Sequence, residues 1–530
     1  MLFVKRYNYL YILISSLNPM YSKKYKNHIL VLLVAFFFMD VLDMSVVNVA
    51  IPKIMSSLDV NLEYVDWVVI AYNIANAIII IPMTFIIKKI GIKIPMLLSI
   101  IFFTISSIAC GFATSIDILI FFRILQGLSG GGIIPLGLSL LGKIFEPHER
   151  GKAMGIWGIG AMVAPAIGPI FGGWITDRLT WRWIFFTNAP IGLMVIIGIL
   201  IILENDISEH YFKANFDLIG FFFFSVAVAF FLIASNEGHN KGWNSSYIHV
   251  CEILSAGAII IFLLVELFVK HPLINFDIFK NYNFTVVTFV NIIRAIVLFG
   301  YLFILPVYLE TIMDYTPYMT GLIMMPAAIA VALSAPLFGI GSDRYGPKYF
   351  IIFGMLLMGI FFIMYGNLSL QSNVWDIIYP SILGGIGFGM LYAPFMSIGL
   401  NSVKKEQVIE ASGLLPVVMR LSAGFGVAFF TNYITTRRAY YLTSYGDKIN
   451  DKNYIFLKTQ SYFNSVGLFK SNTGILANSH RINPGLGIIY DIVKTFATVQ
   501  SYDDAFLLAA VICFIGIIPA IMLRNIKHIS

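Results

Sequence analysis

Polar residues are sparse along this chain, and between them run apolar stretches of roughly 20 residues, the length of helix that crosses a bilayer. Fourteen such stretches lie near residues 29–51, 66–87, 94–114, 116–141, 153–175, 183–203, 217–236, 249–268, 284–309, 320–341, 350–367, 377–400, 408–434 and 505–523. With 58% hydrophobic and only 12% charged residues, a chain of 530 residues could not hide this much apolar surface in water. The pattern predicts an all-α membrane protein with fourteen spans.

The polar residues between the spans set the orientation. With the N-terminus inside, the inner segments hold Lys5, Arg6, Lys23, Lys24, Lys26, Lys88, Lys89, Lys93, Lys143, Arg150, Lys152, Lys213, Lys270, Lys280, Arg344, Lys348, Lys404, Lys405, Arg524 and Lys527. The short outer loops hold only Lys53, Arg178, Arg182 and Lys241. That bias predicts cytoplasmic termini. It also accounts for part of the net charge of +7, so no nucleic-acid partner is implied. Cys110, Cys251 and Cys513 fall in or beside apolar spans, with no spacing that suggests a metal site or a disulfide framework. The short apolar run Tyr9–Leu17 reads as a weak signal-like stretch or as an upstream extension, with either Met1 or Met20 as the start.

Two inner loops resemble each other. Lys88-Lys89-Ile90-Gly91-Ile92-Lys93 follows the second span, and Asp343-Arg344-Tyr345-Gly346-Pro347-Lys348 follows the tenth. If the second half begins at span nine, these loops occupy equivalent places in two six-helix units, with spans seven and eight inserted between them. Paired bundles around a central cavity are a transporter architecture. The second loop resembles motif A of the major facilitator superfamily, G-x-L-x-D-R-x-G-x-K, through Gly339, Asp343, Arg344, Gly346 and Lys348. The first departs from it, with Thr84 at the glycine place and Lys88 at the acid place. A carboxylate at that place can cap helix dipoles and pair with an arginine at the seam between the halves, and its loss removes that latch from the first half. A solvated basic turn that fixes topology accounts for the first loop and in part for the second.

Span five reads GIWGIGAMVAPAIGPIFGG, with Gly155, Gly158, Gly160, Ala164, Pro165, Gly168, Pro169, Gly172 and Gly173. Small residues let helices approach closely and prolines bend them. The run resembles motif C of the antiporter branch, G-x8-G-x3-GP-x2-GG, with Ala164 in place of a glycine. A tight helix contact is the alternative reading.

Charge inside the spans is the candidate chemistry. Asp40 and Asp43 share one face of span one, with Asn48 further round. Burial and mutual repulsion both favour their protonated forms, which suits a proton carrier. The segment from Leu42 to Pro52 resembles the first-span motif of fourteen-helix drug:proton antiporters, L-D-x-T-I-V-N-V-A-L-P. Arg123, Gln126 and Gly127 resemble motif B, R-x-x-Q-G. Arg123 and Asp43 lie at similar depths, roughly 10 and 13 Å from the outer ends of their spans, so Arg123 is placed to tune proton binding at Asp43. The alternative is a pair that merely neutralises charge. Trp181-Arg182-Trp183-Ile184-Phe185-Phe186 with Asn188 and Pro190 is similar to the entry to span six in the EmrB/QacA group.

In the second half, Arg294 and Arg420 sit roughly 15–18 Å deep. Pairing with Asp40 across the cavity, contact with an anionic substrate group, and pairing with carbonyls or polar groups inside the bundle all remain open for them. Tyr72, Asn73, Asn76, Asn291 and Tyr301 are further cavity candidates, while Glu266 reads as snorkelling to the interface.

The resemblance implies a major facilitator fold. Its parts are an N-terminal tail over 1–28, a six-helix bundle over 29–203, inserted helices over 204–283, a second bundle over 284–523 and a tail over 524–530. The second bundle includes an outer loop over 437–500, rich in Lys, Asn, Tyr and Ser. The resemblance implies a proton-coupled multidrug antiporter of the bacterial inner membrane, closest to EmrB-type permeases, moving amphipathic small molecules and needing no cofactor beyond protons. Such permeases work with a periplasmic adaptor and an outer-membrane channel, and the long loop offers a place to dock; a solvated linker is the alternative. No phosphate-binding loop is present to make ATP the fuel, and no intramembrane nucleophile–base set or His cluster suggests an enzyme or a metal site. A dedicated exporter of one metabolite, such as an anionic one, and a non-transporting sensor or assembly partner are the other readings.

Overall fold

A computed structural model describes residues 22–203, 216–269, 272–446 and 484–524. The expectations for Lys5, Arg6, Tyr9–Leu17, both candidate starts, Lys213, Lys270, Lys527 and most of the outer loop lie outside them. The spans are α1 (Lys23–Leu58), α2 (Trp67–Ile90), α3 (Lys93–Gly111), α4 (Ile116–Ile144), α5 (Arg150–Arg178), α6 (Asn188–Ile202) and α7 (Leu218–Lys241). They continue with α8 (Ser246–Phe268), α9 (Tyr282–Thr311), α10 (Pro317–Tyr345), α11 (Pro347–Tyr365), α12 (Val374–Asn401), α13 (Val408–Gly446) and α14 (Pro484–Met522). Among the described residues, 13 helices are long and apolar enough to cross a membrane, and α5, bent by 42° at Pro165, makes a fourteenth. Polar caps start several spans: Ser22, Ser115, Asp217, Ser245, Asn281 and Thr316 each accept a backbone N–H from the first turn.

Three boundaries differ from the sequence reading. Helix α1 begins at Lys23, because Ser22 caps it ahead of the apolar run. Helices α13 and α14 reach Gly446 and back to Pro484, well past their apolar stretches. The two ends of the expected 437–500 loop are therefore helical. A backbone that meets all its hydrogen bonds internally does not need to stop where the apolar side chains stop.

The two six-helix units repeat the same packing. In the first, α1 packs on α5, α2 on α4, and α3 on both α4 and α6. In the second, α9 packs on α13, α10 on α12, and α11 on both α12 and α14. Two equivalent seams join them: α5 against α10 and α12, and α13 against α2 and α4. Helices α7 and α8 pack on each other, and α7 leans on α2 and α13, covering the second seam from outside.

The glycines of α5 let both neighbours close in. Added Cβ atoms at Gly160 and Gly172 would meet the α1 backbone near Val34 and Val46, and one at Gly168 would collide with Ser45. Ser45 in turn donates to the Pro165 carbonyl at 3.2 Å. Gly158 faces the Tyr392 ring of α12 across the seam. At Gly155 a Cβ would lie 2.5 Å from the Ala335 carbonyl oxygen and 2.8 Å from Pro336 Cα, both backbone. Gly155→Ala is therefore expected to destabilise the protein by about 1–3 kcal/mol. Gly173→Ala, where a Cβ meets nothing within 4 Å, should be neutral. Thermal unfolding of the purified protein checks both, and equal midpoints would refute the packing role.

Candidate functional site

The N-terminal unit holds a closed charge cluster at membrane depth. Arg123 on α4 and Asp43 on α1 form an ion pair of 2.6 Å, with both side chains essentially unexposed. Asp43 Oδ1 also accepts from Gln126 Nε2 at 3.0 Å and from Asn188 Nδ2 at 2.6 Å. Asn188 in turn donates to Ser107 at 2.9 Å. Arg123 donates from Nε to the Val68 carbonyl at 3.0 Å and from Nη1 to Gln126 Oε1 at 2.7 Å. Its guanidinium lies 4.1 Å from the centre of the Tyr72 ring. Several helices thus fix one carboxylate with three charge-assisted or amide donors, a strong arrangement out of water.

Asp40 lies one turn away and is also fully buried, but it is held much less. The Tyr72 hydroxyl donates to its Oδ1, and its Oδ2 has no partner among the described residues. The two acids, three residues apart in sequence, therefore have different surroundings. Asp43 is saturated with donors that suit a carboxylate. Asp40 keeps an oxygen on which a proton can sit. The sequence placed both acids and Arg123 here. It did not single out Asn188 as an Asp43 ligand, although an amide in an otherwise apolar span entry was the available signal.

Small residues bring this cluster together. A Cβ on Gly127 would meet the Tyr72 carbonyl oxygen at 2.5 Å, and one on Gly130 would lie 2.6 Å from Asp40 Oδ1. Gly127, read from sequence as part of a motif, thus sets the approach of α4 to α2.

The cavity candidates divide. Tyr72 belongs to the charge cluster. Asn76 is buried beside Gly130, and neither of its amide atoms has a partner among the described residues. Asn73 Oδ1 is likewise unpartnered. Asn48 is exposed, one turn beyond Met44 on the same face of α1. Asn291 donates to the Leu415 carbonyl at 3.3 Å and accepts from Arg294 at 2.9 Å. Tyr301 is a correction: it packs among Phe361, Phe362, Tyr365 and Phe388 in the core of the second unit, where its ring finds edge and stacking partners. Glu266 is another. It is buried and accepts from the backbone N–H groups of Leu273 and Ile274, so it secures the α8–α9 connection rather than snorkelling. Among the described residues, no three His, Cys, Asp or Glu side chains gather as a metal-holding group.

The seams carry a second set of contacts, all at the end of the bundle where the basic loops lie. Asp343 accepts from the backbone N–H groups of Gly151 and Lys152 at 2.9 Å each, capping α5 across the first seam. A Cβ on Gly339 would strike the Gly151 backbone, so this glycine permits the approach. At the equivalent place in the other seam, Lys88 pairs with Glu410 at the start of α13. The latch expected to be missing from the first half is present with its charge reversed. Thr84 replaces the motif glycine because the matching space is on the partner helix, at Gly413. Gly91 and Gly346 end α2 and α10 with φ of 84° and 89°, a region that favours glycine, so the two basic turns share one geometry. Ser139 and Ser412 bond at 2.7 Å, and Arg150 donates to Asn401 at 2.7 Å, joining the units at the same end.

Paired six-helix units, two equivalent seams and charge buried at mid-span define a multi-pass membrane transporter. Residues 33–427 match the family model of the Major Facilitator Superfamily, and the chain belongs to that family, in its EmrB-like branch. It is 30% identical to the multidrug export protein EmrB of Haemophilus influenzae, over 82% of this chain and 86% of that one. It is 29% identical to the riboflavin transporter RibZ of Clostridioides difficile, over 83% of this chain and 94% of that one. Among solved structures, the human organic anion transporter MFSD10 superposes with a TM-score of 0.60, covering 93% of this chain and 99% of that one. At 11% identity that likeness carries the fold alone.

Proposed function

We propose that this chain exports amphipathic small molecules from a bacterial cytoplasm by alternating access, driven by protons moving inward. In this reading it spans the inner membrane with both termini in the cytoplasm. The observation that carries the reading is the unequal pair on α1: one carboxylate locked to Arg123 and, one turn away, another with an oxygen that has no partner among the described residues. Asp40 takes the proton. The Asp43–Arg123 pair joins α1 to α4, so a change of charge at Asp40 reaches the packing of both helices. The seam contacts at the basic end hold the bundle shut on that side, and their opening is the other half of the cycle. EmrB, by its name, exports many drugs and RibZ, by its name, transports a single compound, so dedicated export of a single metabolite is the second reading.

A proton entering across the membrane potential supplies about 2.3 kcal/mol per 100 mV. Purified protein in liposomes with an imposed pH gradient should therefore accumulate members of a chemically varied panel of amphiphiles. Asp40→Asn should abolish gradient-driven accumulation while leaving exchange of labelled for unlabelled substrate. Broad transport across the panel favours multidrug export, and one transported compound favours the dedicated reading. Uphill accumulation without any pH difference or voltage would overturn the coupling, and so would an Asp40→Asn protein that still responds to the gradient.

A further inference from the structure

The connector between α8 and α9 enters the second seam at its basic end. Leu273 and Ile274 pack into an apolar cluster that includes Ile80 and Ile81 of α2, Val417 of α13 and Phe262 of α8. The same stretch, with Asn275 and Ile278, lines a small cavity whose other walls include Thr84 on α2 and Glu410 and Gly413 on α13. Glu410 belongs to the reversed latch, and Thr84 and Gly413 set the close approach beside it. Past the cavity, Ile278 is 1% exposed, and Asn281 donates to the Ser402 carbonyl just beyond α12.

Glu266 on α8 fixes this stretch. It is only 4% exposed. Its Oε1 accepts from the Leu273 N–H at 3.1 Å and its Oε2 from the Ile274 N–H at 3.4 Å. A Cβ on Gly220 would lie 2.2 Å from Asp217 Oδ2 and 3.4 Å from Glu266 Oε1, so the start of α7 closes on the same point.

A loop at an aqueous face has no need of such an anchor, because water satisfies its N–H groups. Burying a carboxylate is costly. What it gives here is position: two bonds from one planar group set both the place and the direction of the Leu273–Ile274 peptide. Helix α8 packs chiefly on α7 and forms no part of either seam. It is a post against which the seam helices can move. A stretch lodged between α2 and α13 cannot stay on both when they part.

We propose that the α8–α9 connector is a bolt across the second seam and that Glu266 is the catch that keeps it there. The inserted helix pair then has a task in transport. It holds the basic end closed, alongside the Lys88–Glu410 pair. This rests on the alternating-access reading above and concerns the control of its opening at that end. Glu266 is a positioning residue, acting on the seam through the connector.

The test uses the full chain in nanodiscs, with spin labels at the basic ends of α2 and α13 and their separation measured by pulsed resonance. The native protein should show a short separation and a minor long one. In Glu266→Gln the amide keeps one acceptor and turns an N–H toward the other donor. The long form should then grow about tenfold relative to the short, the size expected for losing a hydrogen bond to a charged group. Glu266→Asp should fall between. Two cleavable cross-links test the bolt with the catch intact. One joins Asn275→Cys to Thr84→Cys on α2, and the other joins Asn275→Cys to Leu414→Cys on α13. Whichever helix the connector follows, tying it to the other must stop the seam from parting, so at least one cross-link should remove the long separation until it is cleaved. A Glu266→Gln protein with the native balance overturns the catch. Two cross-linked proteins that both keep the long separation overturn the bolt. Either result leaves the alternating-access reading standing. A native protein with a single separation at acid and neutral pH alike overturns alternating access itself.

Discussion

Asp43→Asn is expected to abolish proton-driven efflux and to destabilise the protein by about 3–5 kcal/mol, the usual cost of stripping one partner from a buried ion pair. The environment leaves little room for adjustment. Arg123 and Asp43 are both sealed from solvent, so water cannot replace the lost charge. Three donors converge on the two oxygens of Asp43. An amide offers one acceptor and brings two N–H groups of its own, so at least one donor meets another donor. Asp40→Asn forms the contrast. Its single hydrogen bond among the described residues, from the Tyr72 hydroxyl, survives in an amide, so the fold should hold while coupling is lost. Thermal unfolding in detergent and flux in proteoliposomes separate the two variants. An Asp43→Asn protein with native melting and native coupled flux would remove Asp43 from both roles.

The second large effect is expected at the reversed latch. Lys88→Glu sets two carboxylates face to face across the α2–α13 seam, in a contact only 21% and 17% exposed on its two sides. Attraction becomes repulsion at a point where screening by water is limited. The balance between closed and open forms at the basic end should move by about tenfold or more toward open. Lys88→Glu combined with Glu410→Lys restores opposite charges and should return the balance most of the way. Spin labels at the basic ends of α2 and α13 report the separation, and substrate flux reports the consequence. If the double variant opens as far as the single one, charge at this contact does not hold the seam. Asp343→Asn should have a smaller effect, because Asp343 caps backbone N–H groups and an amide oxygen still accepts from one of them.

The two latches show how far a linear reading extends. Equivalent loops at 88–93 and 343–348 were visible in the sequence, as was the acid missing from the first. That the missing acid had been replaced by its mirror image was not visible, because Glu410 is more than three hundred residues from Lys88 and lies in no motif with it. The same limit applies at the charge cluster. Asp43, Arg123 and Gln126 stand out as polar groups in apolar spans. Asn188 sits at the edge of its span, where the sequence names no partner for its amide, and only the approach of the α6 end to α1 gives it a role. Tyr301 failed in the opposite direction. A tyrosine in a span reads equally well as cavity lining or as core, and its neighbours on α11 and α12 made it core.

Burial in a bilayer demands long apolar helices, and basic residues gather at one end of them. Those two pressures act on each segment separately, so span number, the twofold repeat and the polar end of the bundle could be read from residue order alone. Partner choice is different. Asp40 and Asp43 have the same chemistry and nearly the same place in the chain, yet one is saturated with donors and the other is not. Arg123 and Arg294 are both buried cations, yet among the described residues one has a carboxylate and the other an amide oxygen, a sulfur and an aromatic ring. Those distinctions arose when helices remote in sequence came within hydrogen-bonding distance, because charge in a low-dielectric interior is governed by what lies within a few ångströms, and only the packed bundle decides what that is.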